Sequence, residues 1–119
     1  MKKDITCRED VVQLVNLFYT KVKADELLFP VFKHVDWPRH LPTMYDFWSG
    51  LLLGDGSYQG NPFQKHKWLA IDSAHFTRWL SLFKATVEEC YEGDKADEAM
   101  ARASTIADVF QNKMGLKKP

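Results

Sequence analysis

The side chains of this sequence most able to hold a metal are its four histidines, His34, His40, His66 and His75. No two of them stand four residues apart, and no HExxH motif or carboxylate cluster accompanies them, so the spacing does not predict a helical zinc site. A zinc site assembled from dispersed histidines stays a minor alternative. No nucleophile lies on a strand–turn–helix elbow, which argues against a hydrolase. The segment 54–56 lacks the Gly-Lys-Ser/Thr ending of a phosphate loop.

A single histidine in an aromatic pocket is the pattern that remains. Haem binding needs one neutral imidazole, an apolar slot for the macrocycle and an open opposite face. His66 lies just after a glycine-rich loop, so its side chain can be directed at a metal without helical constraints. His40 lies on an apolar helix face and could approach the same metal from the opposite side. The aromatic fraction of 13% exceeds what a small core needs, and a large flat ligand would give those rings a partner. A satisfied core histidine in an aromatic-rich helical protein explains the same residues, so both interpretations stay open.

Composition narrows the class of protein. With 119 residues the chain is expected to form one domain over 1–119. The 16 basic residues balance the 16 acidic ones, so we expect no nucleic-acid partner and no anionic membrane surface as partner. The sequence shows no bilayer-spanning apolar run, and its N-terminus lacks the apolar centre of a signal peptide. Cys7 and Cys90 are isolated thiols without a CxxC motif. We therefore predict a reduced, cytoplasmic setting.

The first half of the chain shows helical periodicity that proline interrupts. Thr6 and Glu9 have the spacing of a capping box and predict the start of a helix. That helix runs to about Lys23 with Tyr19 facing inward, on a stripe formed by Val11, Leu14, Val15, Phe18 and Val22. A short turn over 27–32 is expected to tuck Phe32 inside. Pro38 is expected to open the next helix, although Pro42, one turn later, leaves the exact start open. One face of that helix carries His40, Met44, Phe47, Trp48 and Leu51.

The second half begins with an irregular segment and continues as two helices. Three glycines and a proline over 54–62 predict an ordered functional loop, followed by one short turn over 63–66. The third main helix is expected to start at a cap, Asp72 or Ser73, and to end near Gly93, with Phe76, Trp79, Leu80, Phe83 and Val87 on its apolar face. The last helix should run from about Asp94 to Met114 with Gly115 as its stop, and with Ala99, Ala103, Ile106, Ala107 and Phe110 inward. The expected architecture is therefore all-α, with four main helices around one core.

Read together, the segments of the chain resemble the truncated haemoglobins, specifically the third group of that family. The resemblance extends from about Asp4 to Met114. Its carriers are LFYTKV (17–22), PVF (30–32), HLPTMYDFW (40–48), LLG (52–54), YQG (58–60), PFQKH (62–66), HFTRWLSLF (75–83) and FQNKM (110–114). The glycine pairs of the other groups are absent, as is usual in the third. The resemblance implies a two-over-two helical sandwich that encloses haem b.

The resemblance also implies roles by position. His66 matches the proximal iron ligand, which binds through Nε2 while its other ring nitrogen donates to a backbone carbonyl. Tyr19 and Trp79 match distal donors that point an O–H and an N–H at bound dioxygen, and His40 matches a distal histidine that gates ligand entry. The remaining cofactor contacts are expected from Phe32, Met44, Phe47, Trp48, Phe63, Phe76, Ile106 and Phe110. Met44 departs from the more usual branched aliphatic residue, which bears on pocket shape. Candidates for pairing with the haem propionates are Lys65, Lys67 and Arg78.

A pocket with two or three polar donors is expected to bind dioxygen, carbon monoxide and nitric oxide and to hold dioxygen tightly, which favours chemistry over delivery. Oxidation of nitric oxide or a peroxidase-like reaction is the first hypothesis. Either would need electrons from an unknown reductase, because the sequence has no flavin or nicotinamide motif. The alternatives are a non-enzymatic oxygen carrier, store or sensor, and a cofactor-free helical interaction protein.

Overall fold

The computed structural model describes residues 2–33, 35–56 and 72–113 and places five helices in them. They are α1 (Arg8–Ala24), α2 (Phe29–Phe32), α3 (Trp37–Leu53), α4 (Ser73–Cys90) and α5 (Asp94–Lys113). The four long helices confirm the all-α prediction. None of the helices in these ranges is long and apolar enough to cross a membrane. The predicted short turn at 63–66 and the stop at Gly115 lie outside the described residues.

The helices pack as two pairs, which is the predicted two-over-two arrangement. Helix α1 packs against α3, α4 packs against α5, and contacts between α1 and α4 join the two pairs. The predicted α1 stripe is confirmed, since each of its five apolar side chains is at most 1% exposed. Burial of one such side chain stabilises the fold by about 1.5–3 kcal/mol. On α5 the residues at the contact are small, and Ala96, Ala99 and Ala103 are fully buried.

The predicted capping box at the start of α1 is wrong. The helix begins at Arg8 with Cys7 as its N-cap, and Cys7 makes no side-chain capping bond. Thr6 bonds to Asp10 instead, because its amide and its hydroxyl both donate to Asp10 Oδ2, at 2.9 and 3.2 Å. Lys3 Nζ donates to the same oxygen at 2.8 Å. Because the helix starts after Cys7, the carboxylate that turns back toward Thr6 is that of the third helical residue, Asp10, and Glu9 stays exposed.

The predicted end of α4 near Gly93 is also wrong, since the helix ends three residues earlier, at Cys90. Tyr91 adopts an extended backbone conformation, and its buried hydroxyl donates to the Asp10 carbonyl oxygen at 3.1 Å. Burial of this ring beneath α1 takes the chain out of the helix. Gly93 has a φ of +133° directly before α5, and a Cβ there would lie 2.7 Å from the Asp4 carboxyl carbon, so only glycine fits. Asp4 accepts hydrogen bonds from the amides of Lys95 and Ala96 and thereby caps α5 from the N-terminal segment.

The Asp10 carboxylate couples stability to pH. Burial by itself raises the pKa of Asp10, but hydrogen bonds from Lys3 and Thr6 outweigh it and lower the pKa from 3.8 to about 2. Since the folded pKa lies below the unfolded one, the ionised carboxylate stabilises the fold above about pH 4, and the contribution is lost as pH falls toward about 2. We expect Asp10→Asn to lower the free energy of unfolding at neutral pH by about 1–2 kcal/mol. It should also flatten the loss of stability below about pH 4, measured by urea unfolding across pH.

Asp46→Asn is the matched control for this prediction. Asp46 pairs with Arg8 at 2.6 Å, but both side chains are at least 40% exposed. An exposed ion pair of this kind contributes about 0–1 kcal/mol, so Asp46→Asn should change stability less than Asp10→Asn at neutral pH. Equal losses in the two variants, or an Asp10→Asn variant with an unchanged acid limb, would contradict the prediction.

Candidate functional site

The candidate site lies where α1, α2 and α3 meet, around Tyr19. The Tyr19 ring is 5% exposed. Its centroid lies 5.3 Å from that of His40 in an edge-to-face contact and 6.2 Å from that of Phe32. Phe32 reaches this position because Asp25 Oδ2 accepts hydrogen bonds from the amides of Leu27 and Leu28, which turns the chain out of α1. The predicted short turn that buries Phe32 is confirmed.

The hydroxyl of Tyr19 is held as a neutral donor. Full burial raises the pKa of this phenol well above its usual value, so the proton stays on the oxygen at any physiological pH. Within the described ranges, no hydrogen bond joins this hydroxyl to another residue. Since the side chain is only 5% exposed, a hydrogen-bond acceptor placed beside this hydroxyl would meet little competition from bulk water. The arrangement therefore suits a ligand that accepts a hydrogen bond beside Tyr19.

His40 approaches Tyr19 from the first turn of α3. The helix starts at Trp37, with Pro38 as its second residue, and continues through Pro42. Of the two prolines at which α3 was expected to start, the structure therefore selects Pro38. The His40 side chain is half-buried and its Nε2 atom is shielded from solvent. The imidazole therefore lies on the inner face of α3 rather than in solvent.

A run of stacked aromatic side chains from α3 and α4 lies next to Phe18 of α1. The rings of Trp48 and Phe83 stack at 4.7 Å and those of Trp79 and Phe83 at 5.8 Å. Phe47 meets Trp48 edge-to-face at 5.4 Å, and Met44 is buried one turn earlier on the same face of α3. These contacts confirm the predicted apolar face of α3. These rings join Tyr19 through the ring of Phe18, which contacts both Trp79 and Phe83.

A second, smaller apolar cluster lies between α4 and α5 and contains Phe76, Ala107 and Phe110. The rings of Phe76 and Phe110 meet edge-to-face at 6.3 Å. Trp79 and Ile106 pack against both this cluster and the main core. The indole of Trp79 therefore lies between the two apolar clusters, and no hydrogen bond of its N–H appears in the described part of the chain. The described residues of the predicted cofactor set thus belong to two adjoining apolar clusters.

Sequence reasoning missed two residues of this site. Phe18 was assigned only to the core stripe, yet its ring joins Tyr19, at 4.9 Å, to Trp79, at 5.8 Å. Trp37 was not singled out, although its ring centroid lies 5.2 Å from that of Tyr19 and 5.6 Å from that of His40. A signal for Trp37 was present, because it stands three residues before His40 and so on the same helix face.

Several predicted residues stay untested by geometry. His66, Phe63, Lys65, Lys67 and His34 lie outside the described residues. Arg78, a candidate for a propionate, donates to Asp25 Oδ1 at 3.0 Å, which links α4 to the turn after α1. His75 is a helix-end residue, as predicted, because it shares a capping box with Asp72 at the start of α4. Asp72 is the predicted cap of this helix.

Known proteins that are similar to this chain in sequence are globins. Residues 3–112 match a family model described as bacterial-like globin. A group 3 truncated hemoglobin of Campylobacter jejuni is 34% identical over 119 residues, which cover 94% of each chain. A group 1 truncated hemoglobin of Tetrahymena pyriformis is 36% identical over 76 residues, 63% of each chain.

Solved structures agree with these sequence matches. The crystal structure of group III truncated hemoglobin from Campylobacter jejuni superimposes with a TM-score of 0.87 at 34% identity and covers 99% of this chain and 97% of that one. The Fe(III) form of truncated hemoglobin from Tetrahymena pyriformis gives a TM-score of 0.72 at 28% identity over 92% of each chain. The likeness therefore extends over the full arrangement of helices.

Proposed function

Because the chain belongs to the bacterial-like globin family, among the group III truncated haemoglobins, we propose that it holds haem b in the aromatic site and uses it for chemistry on dioxygen. Bound haem would supply an iron that takes dioxygen, nitric oxide or carbon monoxide as ligand. The same iron can gain or lose one electron. The observation that carries the proposal is the inward-facing Tyr19 phenol, 5% exposed, with the half-buried Trp79 indole on the other side of Phe18.

The described residues fit a large flat apolar group. The stacked rings of Trp48, Phe83 and Trp79 and the edge-to-face pair of Phe76 and Phe110 make these surroundings aromatic and apolar. Haem binding in globins needs such surroundings, together with one imidazole on the iron. His66 is the proposed proximal ligand because of its place in the PFQKH segment that resembles the family pattern. Lys65 and Lys67 stay the proposed partners of the propionates.

Tyr19 and Trp79 act as donors in this proposal. The Tyr19 phenol stays protonated because burial raises its pKa, and an indole N–H is a donor only. A diatomic ligand that gains negative charge on binding accepts hydrogen bonds more strongly than a neutral one. Each such bond stabilises the bound ligand by roughly 1.5–3 kcal/mol. Two donors therefore favour slow release of dioxygen.

Slow release suits a reaction better than delivery. We propose oxidation of nitric oxide to nitrate, in which nitric oxide, dioxygen and one electron combine to give one nitrate ion. The electron comes from a reductase, because the sequence carries no flavin or nicotinamide motif. In this reaction the Tyr19 and Trp79 donors would retain dioxygen, and the surrounding aromatic side chains would exclude bulk water.

A turnover assay tests this function. Haem-loaded protein with an added flavin reductase and a nicotinamide cofactor should consume nitric oxide faster than the same concentration of free haem and should form nitrate in equal amount. Tyr19→Phe with Trp79→Phe should lower the rate, because dioxygen escapes before nitric oxide reaches it. Nitric oxide loss no faster than with free haem would reject the proposed reaction, and fast dioxygen release with moderate affinity would favour a carrier.

A further inference from the structure

Two residues on α1 face two residues on α3 across the mouth of the site. Tyr19 and Lys23 are four residues apart on α1, and Trp37 and His40 are three apart on α3, so each pair lies on one helix face. The inner contact joins the rings of Tyr19 and His40 at 5.3 Å. The outer contact places Lys23 Nζ 4.4 Å above the Trp37 ring. The four side chains form an inner layer and an outer layer between the helices.

We propose that Trp37, held by Lys23, is a positioning residue that keeps the rings of His40 and Tyr19 in place and closes the gap between α1 and α3 to incoming ligand. This inference rests on the proposed function, since it requires a diatomic ligand to bind beside Tyr19. In this proposal Lys23 acts through Trp37, over whose ring its Nζ lies.

The contacts of Trp37 support this role. Its ring lies 5.2 Å from Tyr19 and 5.6 Å from His40, and it stacks on Phe32 at 6.1 Å with an interplanar angle of 28°. It therefore touches three side chains of the candidate site while remaining half-buried itself. Removal of the indole would leave Tyr19 and His40 without their shared neighbour on the solvent side. Lys23 is exposed, so its ammonium sits on the outer face of this layer.

The backbone at the start of α3 has one hydrogen bond fewer than a regular helix. Pro38 and Pro42 have no amide hydrogen, so the Pro38 carbonyl lacks the donor that residue 42 of a regular helix would supply. The amides of Arg39 and His40 both donate to the Asp36 carbonyl, at 3.0 and 2.8 Å. A first turn with fewer backbone bonds opens at lower cost than a complete one. The ring contacts of Trp37 and the Lys23 cation above it therefore help to keep this turn helical.

Flash photolysis of the carbon monoxide form of the haem-loaded protein tests the inference. The variants are Trp37→Ala, Trp37→Phe and Lys23→Gln, with Phe29→Ala as control because Phe29 is a 48% exposed aromatic residue on α2. We expect Trp37→Ala to accelerate bimolecular rebinding most. Lys23→Gln should accelerate it by about two- to five-fold, the worth of an exposed cation–π contact. Trp37→Phe should stay near wild type.

The infrared C–O stretching band supplies a readout that altered stability alone would not move. Trp37→Ala should shift or split the band because the Tyr19 donor and the His40 ring beside it lose their orientation, and Trp37→Phe should restore it. Unchanged rebinding and an unchanged band in both Trp37→Ala and Lys23→Gln would overturn the inference, as would equal changes in Phe29→Ala. If Trp37→Ala fails to fold, Lys23→Gln decides alone. Carbon monoxide needs no turnover, so failure of the nitric oxide assay leaves this result interpretable.

Discussion

Haem-supplied His66→Ala protein is expected to lose the histidine-ligated absorption spectrum that the wild type shows when oxidised, reduced and treated with carbon monoxide. The iron would lose its proposed protein ligand, and apolar contacts alone cannot fix its coordination. Visible spectra of both proteins, recorded after equal haem loading and gel filtration, measure the effect. This is the largest effect we expect from a single substitution, because it would remove the proposed bond between the protein and the iron.

His75→Ala is the control for this experiment. His75 accepts from the Asp72 amide in the capping box of α4, at 3.1 Å, so its loss should cost about 1 kcal/mol of stability and leave the spectrum unchanged. A His66→Gly variant whose histidine-type spectrum returns on addition of imidazole would separate loss of the ligand from loss of the fold. A wild type that stays colourless, or a spectrum that is the same without His66, would reject the haem assignment.

Tyr19→Phe is expected to accelerate dioxygen release by about 10- to 100-fold. The substitution keeps the ring and its contacts with Phe18 and His40, at 4.9 and 5.3 Å, and removes only the donor oxygen. Because the Tyr19 hydroxyl has no hydrogen-bond partner among the described residues, its removal should not lower the free energy of unfolding. Stopped-flow displacement of dioxygen by carbon monoxide gives the dissociation rate.

Tyr45→Phe is the matched control, since the Tyr45 hydroxyl donates to Asn16 in an exposed contact between α3 and α1. It should leave dioxygen release unchanged. Trp79→Phe should accelerate release in the same direction as Tyr19→Phe if the indole N–H is the second donor. Release at the wild-type rate from Tyr19→Phe would show that this phenol does not touch the ligand, and the chemistry proposed for the site would lose its main support.

The local sequence pattern was sufficient to predict the position and the buried face of most helices. The α1 stripe, the Asp72 cap of α4 and the inward alanines of α5 each depend on residues within a turn of one another, so period and capping chemistry predict them. The burial of Tyr19 followed from the same periodicity. Resemblance added the family and the candidate site residues, because several short motifs recur in order along the chain.

Tertiary structure decided the features that join distant segments. Asp4 caps α5 across about ninety positions of sequence, and Tyr91 leaves α4 to bond the Asp10 carbonyl. These contacts ended α4 before Gly93. Likewise, the role proposed for Trp37 depends on its contacts with Tyr19 and Lys23 of α1, which are distant in sequence. The sequence by itself determined which faces are apolar and where α4 and α5 begin, because those features depend on neighbours along the chain. Only the packed fold decided which polar groups and rings meet, since burial and hydrogen bonding between distant residues have no local signature.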